Sequence, residues 1–156
     1  MKPPQVLTGG CQCERIRYQI NASPRTLYVC HCTDCQKQSS SAFGMSLIID
    51  HASLQFTAGE AQVKYWDTHG DDGALKRCAF CENCGTRLFH AGADEIRISI
   101  KAGSLDDTRW LQPVAQIWRR SAQTWLRLDG GLIPSFDTMP DDESALTRLW
   151  KNRLQD

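Results

Sequence analysis

The sequence predicts a mainly β domain of several short antiparallel strands, followed by a short C-terminal helix. Three observations predict it: apolar and polar residues alternate in short runs, those runs are parted by Gly, Asp, Ser and Pro clusters, and a helical stripe emerges only after Pro140. At 156 residues the chain is expected to form a single domain over residues 1–156, with a core at about 8–140. A core of this size buries most of its apolar surface without a second module.

Residues 15–20 put Ile16, Tyr18 and Ile20 on one face, and residues 96–100 do the same with Ile96, Ile98 and Ile100. Both have the period-two pattern of a half-buried strand. Residues 43–49, 63–66, 87–90 and 114–118 are short and rich in branched or aromatic side chains, and also read as strands. The polar segment 33–41 has no apolar periodicity and is expected to be one helical turn or a surface loop. Beyond Pro140, DDESALTRLWKNRLQ offers Asp141 or Asp142 as a cap and aligns Leu146, Leu149 and Trp150. This predicts a helix over about 142–154 that packs on the sheets.

Lys plus Arg and Asp plus Glu both count 18, so no net field draws the chain to nucleic acid or to an anionic membrane. The start, MKPPQVLTGG, has no apolar run of signal-peptide length, and no stretch approaches the roughly 20 apolar residues of a membrane span. The expectation is a soluble, cytoplasmic protein without nucleic-acid or membrane partners. Eight cysteines with one- and two-residue spacers then point to metal or catalysis before disulfides.

In GGCQC, Cys11 and Cys13 precede the first alternating strand. Extended backbone points residues two apart to the same face, so this pair can present two sulfurs to one ion at about 2.3 Å each. In CAFCENCGT, Cys81, Cys84 and Gly85 form a knuckle whose tight turn aims both thiolates at a metal, with glycine free to take positive φ. The two half-sites sum to the four sulfurs of a closed tetrahedral zinc site. Such a clamp would close a long loop and remove chain entropy from the unfolded state.

The stretch CHCTDC holds Cys30, Cys32 and Cys35, three thiolates able to reach one ion. Cys78 could close that site as a fourth ligand, or water or substrate could take the position, as in catalytic zinc. Cys78 and Cys81 are themselves a C-x-x-C pair, so spacing leaves other partitions open. His31 alternates with its cysteine neighbours and is expected to pack or to hydrogen-bond behind the ligands. The aromatic set Trp110, Trp118 and Trp125 is expected to be core, with a pocket wall as the rival reading.

Taken in order, GGCQC, CHCTDC with its serine-rich loop and Phe43, FCENCGTRLF, PVAQIW with Trp125, and LIPSFDTMP make the chain resemble the glutathione-dependent formaldehyde-activating family, related to centromere protein V. The resemblance spans roughly Thr8 to Pro140. It implies a β-tent fold with two zinc ions. The structural zinc maps onto Cys11, Cys13, Cys81 and Cys84, and the catalytic-type zinc onto Cys30, Cys32 and Cys35 with an open fourth position. The implied activity is a zinc-dependent carbon–sulfur lyase-type reaction resembling S-(hydroxymethyl)glutathione synthase, which joins glutathione, or a similar thiol, to formaldehyde or a related small aldehyde. Ser39 and Ser40, with Ser41, follow the ligand loop and could donate hydrogen bonds to a bound sulfur or peptide carboxylate of a glutathione co-substrate, with a solvated turn as the equal rival reading. Where relatives commonly carry arginine after the third loop cysteine, this chain has Gln36, and Gln116 replaces a common histidine.

Two rivals accompany this reading. One is a non-catalytic, zinc-stabilised binding module for a protein partner, with Trp118, Arg119 and Arg120 as a candidate surface. The other is a redox or metal sensor centred on Cys78.

Overall fold

The computed structural model describes residues 2–70, 73–128, 130, 132–142 and 144–155. In chain order the strands are β1 (Leu7–Gly10), β2 (Arg17–Ile20), β3 (Thr26–Cys30), β4 (Gly44–Asp50), β5 (Leu54–Ala58), β6 (Val63–His69), β7 (Leu75–Cys81), β8 (Arg87–Ala91), β9 (Arg97–Lys101) and β10 (Gln116–Ile117). The helices are α1 (Thr33–Ser39) and α2 (Ser144–Gln155). The protein is therefore mainly β, with a C-terminal helix where the capping signal and apolar stripe place one. Among the described residues no helix is long and apolar enough to cross a membrane.

The chain divides into two compact units, Met1–Pro24 with Ile48–Trp110, and Arg25–Leu47 with Leu111–Asp156. In the first unit, β1, β2 and β5 pair antiparallel in that order, with a bulge between Arg17 and Tyr18. Ile16, Tyr18 and Ile20 are buried, as the alternation predicts. Strands β6 to β9 form an antiparallel run in chain order. Ile98 and Ile100 are buried in β9, but Ile96 is 64% exposed and precedes the strand. The cause is local: Glu95 takes φ 49° and the Ile96 N–H donates to Asp94 Oδ1 at 3.2 Å, so the chain is still turning at Ile96.

In the second unit, β10 pairs parallel with β3, and β3 is buried along its whole length. Residues buried on both faces have no reason to alternate, which hid this strand from the periodicity. The predicted strand at 114–118 shrinks to Gln116–Ile117 because Trp118 takes φ 58°, a left-handed conformation that ends extended pairing. Helix α2 packs on β3, burying Leu146 and Trp150, while Thr26 Oγ1 donates to the Leu146 carbonyl at 3.0 Å. Asp142 caps it, accepting from Ser144 N–H at 2.9 Å.

Candidate metal centres

Two hairpin tips of the first unit build a four-sulfur group. Cys11 and Cys13 lie in the turn between β1 and β2, where Cys11 N–H donates to the Ile16 carbonyl at 3.1 Å and Glu14 N–H to the Cys11 carbonyl at 3.0 Å. Glu14 takes φ 62°, so this C-x-C pair is delivered by a tight turn, not by the extended backbone that its spacing suggests. Cys81 ends β7, and the next turn carries Cys84 and then Gly85 at φ 72°, with Gly85 N–H donating to the Cys81 carbonyl at 2.9 Å. A Cβ on Gly85 would meet nothing within 4 Å among the described residues. Backbone conformation alone therefore calls for glycine there.

The sulfurs of Cys11, Cys13, Cys81 and Cys84 all lie within 4.8 Å of one another. Cys11 to Cys13 is 3.4 Å and Cys13 to Cys81 is 3.7 Å. Zinc–sulfur bonds of about 2.3 Å in a tetrahedron give an edge of about 3.8 Å, so the donor set fits a tetrahedral thiophilic ion. Supporting donors are in place. Ile16 N–H points to Cys11 Sγ at 3.3 Å, and Thr86 Oγ1, which accepts from Gln12 N–H at 3.1 Å, lies 3.2 Å from Cys84 Sγ. Burial raises the Cys84 thiol, but hydrogen bonds from the Thr86 hydroxyl and backbone and from Cys13 outweigh it and bring the pKa down to about 6. Burial pushes Cys81 the other way, up to about 11.

The second unit holds a three-sulfur group. Cys30 ends β3, and Cys32 is the N-cap of α1, its Sγ accepting from Cys35 N–H at 3.3 Å. A cysteine in the role usually filled by serine or aspartate thus starts a short helix that carries no apolar pattern to announce it. The sulfurs of Cys30, Cys32 and Cys35 lie within 4.8 Å of one another, and among the described residues neither His31 nor Cys78 belongs to the group. Hydrogen bonds shared with Cys32 and Cys35, then burial, push the Cys30 thiol far above its ordinary pKa. Three adjacent thiolates repel, and a divalent cation lets all of them ionise together. No disulfide joins any of the eight cysteines.

Gly44, at the start of β4, crowds this group: a Cβ there would stand 3.1 Å from Cys35 Cβ and 3.6 Å from its Sγ. Nothing in the local sequence signals that approach. Ser39 lies 2.8 Å from both the Cys35 and Phe43 carbonyls, so its one hydroxyl proton ties the loop back onto α1. Ser40 takes φ 50° and ends the helix. His31 is fully buried, 3.0 Å from Gln116 Oε1, with its ring edge-on to Phe43, and burial pulls its pKa below the ordinary histidine value. Gln116 is buried beneath it.

Beside α1 opens a cleft of about 510 Å³ lined by Gln36, Lys37, Ser40, Phe43, Gln123 and Trp125, among others. It adjoins the three-sulfur group along the chain, since Gln36 follows Cys35 and Phe43 precedes Gly44. Of the three tryptophans, Trp110 is buried in the first unit and Trp118 lies under the Arg120 guanidinium, 4.7 Å from the ring centre. Trp125 is 70% exposed and walls the cleft.

A family model described as glutathione-dependent formaldehyde-activating enzyme matches residues 6–121, most of the chain and both cysteine groups. The chain belongs to this family. A crystal structure of a Rhodobacter sphaeroides protein matches with a TM-score of 0.53 at 14% identity, covering 82% of this chain and 98% of that one, a likeness of fold alone. No curated protein sequence matches. The formaldehyde-activating match includes the seven clustered cysteines, Gln36 and Gln116, and ends before Gln123 and Trp125.

Proposed function

We propose that this member of the family is a zinc-dependent carbon–sulfur lyase-type enzyme that joins glutathione, or a similar thiol, to formaldehyde or a related small aldehyde. The observation that carries the reading is the inequality of the two groups, four mutually close sulfurs in one and three in the other. Cys11, Cys13, Cys81 and Cys84 would hold a structural zinc with four protein sulfurs. Cys30, Cys32 and Cys35 would hold a second with three, leaving a position for substrate. When bound there, zinc supplies a soft, electron-rich position that favours a fourth sulfur and lowers its affinity for a proton.

The remaining work falls to the chain. Lys37 offers an ammonium to a substrate carboxylate from the cleft wall, and Ser40 offers its hydroxyl. Ser39 holds the loop that presents them. In the reaction the thiolate sulfur forms a bond to the carbonyl carbon, the carbon–oxygen π pair moves to oxygen, and that oxygen takes up the proton the thiol gave up. Atoms and charge balance without any oxidant or reductant. The thiol co-substrate and the unbridged cysteines suit a reducing compartment such as the cytoplasm.

The test is exchange spectroscopy by carbon-13 NMR on glutathione and labelled formaldehyde, with and without the zinc-loaded protein. Adduct formation faster than the uncatalysed rate is expected, and Cys35→Ser should remove the acceleration. Equal rates with and without protein, for formaldehyde and for other small aldehydes, would refute the reading.

A further inference from the structure

Trp125 is exposed but anchored. Its Nε1–H donates to Gln123 Oε1 at 2.8 Å, Gln123 Nε2–H donates to Gln36 Oε1 at 3.2 Å, and Gln36 Nε2–H groups donate to the carbonyls of His31 at 2.7 Å and Ser121 at 2.9 Å. This relay fixes one edge of the indole and leaves its aromatic surface unspent. A preorganised indole loses little freedom when a ligand stacks on it. Phe43 supplies a second aromatic wall, and the cleft volume falls in the range of about 300–1,000 Å³ that organic ligands use. Among the described residues, no acidic side chain lines the cleft and Lys37 is its one charged residue.

We infer that this cleft binds a flat, unsaturated carbonyl compound, an aromatic aldehyde carrying at most one negative charge, stacked on Trp125. The inference rests on the thiol–aldehyde reading of the adjoining three-sulfur group and names the larger carbonyl substrate that group serves. Formaldehyde has no surface to stack and needs none of these walls. Gln36 is a positioning residue in this arrangement: it holds Gln123, and through it the indole, while its backbone follows directly on Cys35.

The test uses the zinc-loaded full chain and two probes that form no adduct with amines or thiols, 4-(hydroxymethyl)benzoate and its saturated analogue trans-4-(hydroxymethyl)cyclohexanecarboxylate, titrated calorimetrically. The aromatic probe should bind about threefold to tenfold more tightly, the range expected of one aromatic pair. Trp125→Ala should abolish that preference, and Gln123→Ala, which frees the indole edge without removing it, should reduce it. Equal binding of the two probes, or an aromatic preference that survives Trp125→Ala, would overturn the proposal. The two readings fail separately. Probe discrimination without any catalysed adduct formation supports the cleft and sinks the reaction, while catalysed formaldehyde addition without probe discrimination sinks the cleft alone.

Discussion

Replacing Gly44 by alanine sets a methyl group against the third sulfur of the second group. The new carbon would stand 3.1 Å from Cys35 Cβ, 3.6 Å from Sγ and 3.7 Å from Cα. Non-bonded carbons settle at about 3.5–4.0 Å, so Cys35 must give by a few tenths of an ångström. It has little room to do so, because its N–H is held by Cys32 Sγ and its carbonyl by Ser39. Metal–sulfur distances tolerate only about 0.2 Å. The second group should therefore lose about 10- to 100-fold in metal affinity, the scale seen when groups supporting a ligand are disturbed. The four-sulfur group should keep its affinity, and overall stability should fall by about 1–3 kcal/mol from overpacking. Cobalt titration against a competing chelator, read from thiolate-to-cobalt charge-transfer bands, separates the two groups. Wild-type affinity at both groups in Gly44→Ala would refute the reasoning.

Three further outcomes follow from the geometry. Gly85→Ala meets no neighbour but forces alanine to φ 72°, so urea unfolding should show a loss of about 1–2 kcal/mol without loss of metal, and a larger effect would mean that space matters after all. Cys84→Ser should empty the four-sulfur group and cost several kcal/mol of stability, since binding at a clamp is folding free energy; an unchanged melting temperature would argue against a clamp. The Asp142 carboxyl is held down at about 2 by the Ser144 hydroxyl, then by Arg148 and the Ser144 N–H. An unfolded aspartate titrates near about 3.9, and a lowered carboxylate stabilises above that value, so this contribution is lost as pH falls from about 4 to about 2. Circular dichroism should show the α2 region of the wild type losing more on acidification than Asp142→Asn, and identical acid responses would contradict this.

What could be read from the sequence was what local geometry decides. The C-x-x-C-G knuckle depends on five consecutive residues, and Gly85 takes the positive φ that its place in that motif requires. Ile16, Tyr18 and Ile20 alternate because one face of their strand is buried. Strand β3 escaped because both its faces are covered, and Ile96 misled because a left-handed Glu95 keeps the chain turning through it. Helix α1 runs 7 residues where one helical turn or a loop is expected, its start being set by a sulfur cap and not by an apolar stripe. The site beyond its clustered sulfurs is tertiary in origin. Gly44 meets Cys35 only when β4 returns past α1, and the Trp125 relay joins Gln36 to residues more than 80 positions away.

The central claim is that one metal group is closed and the other accepts a substrate sulfur. Cadmium-113 NMR on the fully cadmium-substituted chain tests it directly. Two resonances are expected, of which one shifts when glutathione is added and disappears in Cys35→Ser, while the other is unmoved by both changes. A single resonance, or two resonances that both ignore the thiol, would contradict the account.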